Sequence, residues 1–94
     1  MVSAAMAKQK LYIELITGSY CPACITIKER LKTIIDEFDP VQIEFRERDV
    51  LEDIDYAVAL GVINTPAIIL NGKLAFSAVP SLKKLRNTLK DNLK

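Results

Sequence analysis

Residues 10–38 read KLYIELITGSYCPACITIKERLKTIIDEF, and this run decides the fold. In its first part, Lys10–Ile16, apolar Leu11, Ile13, Leu15 and Ile16 surround Tyr12 and Glu14, the composition of a strand. Thr17-Gly18-Ser19-Tyr20 supplies turn chemistry. A helix is predicted from Pro22 to Phe38. Pro22 suits the first helical turn, where its missing N–H costs nothing and its ring presets φ. Cys24, Ile27, Leu31, Ile34, Ile35 and Phe38 recur at helical spacing, with Lys28, Glu29, Arg30 and Lys32 on the other face. Asp39-Pro40 ends it. Cys21 and Cys24, the two cysteines of the chain, therefore stand where a strand hands over to a helix.

Outward from this run, Val41–Arg46 alternates strictly. Val41, Ile43 and Phe45 fall on one side and Gln42, Glu44 and Arg46 on the other, a strand with one wet face at a sheet edge. Asp49 to Glu52 reads as a capping box opening a second helix, with Leu51, Ile54 and Val58 as its buried stripe and Gly61 as its left-handed end. Thr65-Pro66 precedes the short apolar strand Ala67–Leu70. Asn71-Gly72 is a two-residue hairpin turn, and Lys73–Ser77 is the returning strand. Ser81 caps a last helix whose apolar positions are Leu82, Leu85, Leu89 and Leu93. Its Lys83, Lys84, Arg86, Lys90 and Lys94 read as a solvated face. The order is β-α-β-α-β-β-α, an α/β chain. Its first two strands should be parallel through a right-handed crossover, and its last two antiparallel.

Composition narrows the function classes. The 94 residues bound the chain to one domain, and half of them are apolar. Such a length buries roughly 60–65% of the extended-state surface, enough for a modest core. Thirteen basic and twelve acidic residues leave a net charge of +1, which points to neither nucleic acid nor an acidic membrane surface. No run is long and apolar enough to span a membrane. Val2–Ala7 is apolar but short, with Lys8 and Lys10 after it rather than before, the reverse of a signal peptide. The expected location is therefore the cytoplasm, and residues 1–9 are expected to form a flexible extension.

The cysteine pair carries the chemistry. A bridge between positions 21 and 24 closes almost no loop, so it is a poor structural staple. The thiolate is the reactive form of cysteine, and a free thiol has a pKa of about 8.5. Cys21 lies just before a helix, where unpaired N–H groups and the helix dipole favour a negative sulfur. Cys24 lies one turn in, on the core-facing stripe. An exposed, acidic Cys21 and a shielded Cys24 are the nucleophile and resolving thiol of a disulfide exchange. Half of a four-cysteine zinc or iron–sulfur site is the competing reading. With no histidine and no second pair, only a dimer completes it. A copper-carrier fold also uses C-x-x-C, but with a β-α-β-β-α-β order; here the hairpin comes after the second helix.

Tyr20-Cys21-Pro22-Ala23-Cys24 after a strand, with Thr65-Pro66 far downstream before another, resembles the thioredoxin superfamily in a short, glutaredoxin-sized form. Arg48-Asp49-Val50 through Gly61-Val62-Ile63-Asn64-Thr65-Pro66-Ala67 is similar to that family's middle section. The resemblance spans residues 10–93 and implies one thioredoxin-like domain over 10–94. It implies a four-stranded mixed sheet in order 2-1-3-4 flanked by three helices, and a cis Thr65–Pro66 peptide facing the sulfurs. It also implies β-type pairing of the substrate chain with the Thr65 backbone. Tyr20, Ala23, Ile63, Thr65, Ala78 and Val79 would then line a shallow groove for protein substrates.

The implied activity is reduction of protein disulfides by a Cys21/Cys24 dithiol, supporting cell redox homeostasis. It needs no cofactor and no metal, acts as a monomer, and is re-reduced by an upstream reductase or a low-molecular-weight thiol. The chain departs from thioredoxins in having Tyr20 for the usual Trp, Pro22-Ala23 between the cysteines, and Leu15 where a buried Asp is usual. Glu14 is read as pointing to the opposite face, a strand-end or partly solvated carboxylate. The glutaredoxin Gly-Gly-Asp-like segment is replaced by Phe76-Ser77-Ala78-Val79-Pro80-Ser81. A glutathione-dependent glutaredoxin is thus the alternative enzyme. A non-catalytic binding module, metal-bridged as a dimer, is the alternative of another class.

Overall fold

The structure, a computed structural model, describes residues 10–19, 21–62 and 64–93. Expectations for residues 1–9, Tyr20, Ile63 and Lys94 lie outside these. The described elements run β1 (Leu11–Thr17), α1 (Pro22–Ile35), a 3-10 turn (Pro40–Gln42), β2 (Ile43–Asp49), α2 (Ile54–Ala59), β3 (Ala67–Leu70), β4 (Lys73–Phe76) and α3 (Leu82–Asn92). The sheet has the order β2-β1-β3-β4, with β1 parallel to β2 and antiparallel to β3. Asn71 and Gly72 turn the β3–β4 hairpin at φ 50° and 81°, the left-handed pair that a two-residue turn demands. Gly61 also has a positive φ, at the end of α2 as expected.

β1 is central, so both its faces are covered. Leu11, Ile13 and Leu15 meet Ile27, Leu31 and Ile34 of α1 and Leu85 and Leu89 of α3 in the larger core. Ile16 packs on the other face with Ala57 of α2 and Ala67 and Ile69 of β3. At about 25 cal/mol per Å² of apolar area, these side chains supply the main folding drive.

Several sequence expectations shift. α1 ends at Ile35 rather than Phe38, although Phe38 still packs against the core. Val41 is exposed because Pro40–Gln42 forms a 3-10 turn, capped by Asp39 accepting from the Val41 N–H; β2 begins at Ile43. Asp49 makes no capping box. It ends β2, and its carboxylate accepts from the Leu51 N–H, a local turn that delays α2 to Ile54. The buried stripe of α2 is consequently not Leu51, Ile54 and Val58, all exposed, but Ala57 with Leu60 and Tyr56 partly covered. A small residue at the contact lets this two-turn helix lie close on the sheet.

Candidate active site

Cys21 is the residue before α1, with φ −117° and ψ 91°, and its Sγ accepts the Cys24 N–H at 3.1 Å. The sulfur thus takes the place of an oxygen cap, receiving one of the N–H groups that a helix start leaves unpaired. Pro22 occupies the first helical turn, as the sequence indicated. Cys21 and Cys24 are joined as a disulfide, with Cα atoms 5.2 Å apart. Cys21 is partly exposed, whereas Cys24 keeps 6% of its surface and faces the core. Pro22 and Ala23 between them are exposed.

The Thr65–Pro66 peptide is cis, and the Thr65 hydroxyl stands 4.0 Å from Cys21 Sγ. Gly18 makes this approach possible. A Cβ there would lie 3.1 Å from Thr65 Oγ1, tighter than ordinary contact. The turn after β1, the start of α1 and the approach to β3 therefore converge on one sulfur.

A cavity of about 520 Å³ opens at the cysteines, walled by Thr17, Gly18, Pro22, Ile25, Lys28 and Glu47. Ile25, a large apolar side chain 63% exposed, stands at its edge. Lys28 and Glu47 form an ion pair across it at 2.9 Å. Ala78 and Val79 do not join this cavity. They line a second one with Phe76, Ser77 and Pro80, because Val79 is drawn against the larger core and Arg30 donates to the Pro80 carbonyl at 2.8 Å. Ile25, Lys28 and Glu47 were not legible as site residues. Lys28 reads as part of a solvated face, and only the β1–β2 register brings Glu47 beside it.

Glu14 also differs from its expected role. It points away from the α1 face as predicted but has no exposed surface. Arg48 Nε and the Tyr56 hydroxyl both donate to its carboxylate. Arg48 in turn lies 4.8 Å over the Tyr56 ring and 3.6 Å from Asp53. The hydrogen bond to Glu14 pushes the Tyr56 pKa up to about 12 and the Arg48 pKa further above its usual range. Among the described residues no buried side-chain nitrogen or oxygen lacks a partner, and no cluster of three or more potential metal-ligating side chains is present.

Residues 11–90 match the family model for the thioredoxin domain. The chain belongs to the thioredoxin family. It is 31% identical over 85 residues to a thioredoxin of Methanocaldococcus jannaschii, covering 89% of this chain and 98% of that one. A probable thioredoxin of Methanothermobacter thermautotrophicus is 30% identical over 81 residues, covering 86% and 94%. Among solved structures, mitochondrial thioredoxin 3 of Saccharomyces cerevisiae superposes with a TM-score of 0.72 at 22% identity, covering 93% of this chain and 84% of that one. A thioredoxin variant of Halobacterium salinarum gives 0.76 at 14% identity, covering 99% and 83%. These structural likenesses bear on the fold, which is the thioredoxin fold. With its C-x-x-C disulfide, this thioredoxin-family chain is a thiol–disulfide oxidoreductase, and the glutathione-dependent alternative finds no better support. Among the described residues no helix is long and apolar enough to cross a membrane.

Proposed function

We propose that this chain reduces disulfide bonds of protein substrates, with Cys21 as the attacking thiolate and Cys24 as the resolving thiol. The observation that carries the reading is the setting of Cys21 Sγ, which accepts an N–H at the start of α1 while Cys24 is shielded one turn behind it. The Cys21 thiolate attacks one sulfur of a substrate disulfide, and the other leaves as a thiolate that takes up a proton. Cys24 then attacks Cys21 Sγ in the mixed disulfide. The substrate's second sulfur is released, and the Cys21–Cys24 bond forms. Two electrons pass from the dithiol to the substrate.

The Thr65 hydroxyl stands 4.0 Å from Cys21 Sγ, which supports pairing of an extended substrate strand with the Thr65 backbone. The chain's own Cys21/Cys24 dithiol carries the electrons, and no separate cofactor enters. An upstream reductase or a low-molecular-weight thiol returns the pair to the dithiol. A monomer in the reducing cytoplasm fits these requirements.

Insulin reduction by the two single-cysteine variants tests the assignment. Cys21→Ser should abolish turnover, and Cys24→Ser should accumulate a mixed disulfide. Turnover by both variants would refute it. The potential of the couple gives the direction. A value near roughly −270 mV fits a reductant, and one near −120 mV an oxidant.

A further inference from the structure

Cys24 must lose its proton before it attacks the mixed disulfide, yet it is 94% covered and lies against an apolar core. From the end of β1 and the turn after it, Thr17 and Gly18 line the same cavity, and neither titrates near neutrality. Leu15, two residues back from Thr17 on the same strand, is apolar and fully buried. Thr65, from the approach to β3, contributes a hydroxyl. Among the described residues, apart from the cysteines, two ionisable groups line the cavity that reaches Cys24. Lys28 lies one turn further along α1, and Glu47 lies on β2. Glu47 pairs in register with Leu15, so it occupies the same sheet face as the buried sulfur. Asp49 is the next acid on that face of β2, but its carboxylate is turned to the Leu51 N–H. Glu14 and Arg48 occupy the opposite face.

We propose that Glu47, held in the cavity by Lys28, is the proton acceptor for Cys24 in the resolving step. This rests on the disulfide-exchange reading above. The Cys24 S–H proton passes to the Glu47 carboxylate, directly or through one water, as the Cys24 sulfur attacks Cys21 Sγ. The Cys21–substrate S–S bond breaks, and its electron pair leaves on the substrate sulfur. Protonated Glu47 then supplies the proton that makes the substrate thiol. Lys28 is a positioning residue: its ammonium, 2.9 Å from Glu47, holds that partly exposed carboxylate at the wall of the cavity.

Field effects and proton acceptance have opposite signs at this position, which makes the proposal testable. Removing a negative charge near a thiol favours the thiolate, so Glu47→Gln acting through its field alone would speed resolution. Loss of the acceptor slows it. Reduced protein mixed with a chromogenic aromatic disulfide releases one aromatic thiolate on attack by Cys21 and a second on resolution by Cys24. Stopped-flow absorbance reads the two phases separately. At pH 6.5 the second phase of Glu47→Gln should be slowed about tenfold or more, with the first nearly unchanged. By pH 9.5, where bulk base ionises Cys24, the variant and the parent should converge. A second phase at or above the parental rate at pH 6.5 overturns the proposal. A defect that persists undiminished at pH 9.5 also overturns it, since that is a structural effect. If the parent protein itself shows no second phase, the disulfide-exchange reading fails first.

Discussion

Glu14 carries a carboxylate into a position with no exposed surface, and Arg48 and Tyr56 answer it from two other elements. Charge burial of this kind is stable only while the partners remain. Arg48→Met should therefore destabilise the fold by about 3–5 kcal/mol, read from urea denaturation midpoints, because the buried carboxylate keeps the Tyr56 hydroxyl but loses its counter-charge. Tyr56 adds a pH dependence. Its donated hydrogen bond raises the folded-state pKa to about 12, while the unfolded phenol titrates at about 10. The stabilisation is present in full below about pH 10 and is lost as pH rises through about 12. Denaturation midpoints taken across that alkaline range should fall more steeply for the parent than for Tyr56→Phe. The parent should also be the more stable near neutrality, by about 1.5–3 kcal/mol for a hydrogen bond to a charged acceptor.

At the scale of elements, α2 is where pattern and packing part. Its six residues are too few for a hydrophobic period to identify the covered face, and Ile54 and Val58 stand in solvent while Ala57 is sealed. Val58→Ser should shift stability by no more than about 0.5 kcal/mol, whereas Ala57→Leu should lower it by about 1–3 kcal/mol through overpacking. Thermal or urea unfolding of the two variants checks the contrast; equal losses would restore the face expected from the sequence. α1 is the opposite case. Its fourteen residues give the period room to be read, and Cys24, Ile27, Leu31 and Ile34 are the buried set, as their spacing indicated. The turn that follows α1 is tied to α3 by Glu37, whose carboxylate accepts two hydrogen bonds from Arg86 and is thereby held below its usual range.

For the whole molecule, one larger core joins β1, α1, β3 and α3 while the site sits at the N-terminal end of α1. Stability and chemistry should then separate. Leu31→Ala, in the middle of that core, should cost about 2–5 kcal/mol yet leave insulin reduction intact well below its melting temperature. Loss of activity without loss of stability would show that the core and the sulfurs are coupled.

The element order, the hairpin at Asn71-Gly72, the helix start at Pro22 and the C-x-x-C pair were legible before folding, because each rests on local backbone preference or short-range spacing. Likeness to a known family carried the sheet order and the cis bond before Pro66. Contacts between residues far apart in the chain emerged only in the folded molecule. Glu14 meets Arg48 and Tyr56, and Lys28 meets Glu47 beside Cys24. Strand periodicity tells which face a side chain takes, but not what covers that face. β1 is covered on both sides by segments the chain supplies later, so its one buried charge and the surroundings of Cys21 and Cys24 became readable only once those segments were in place.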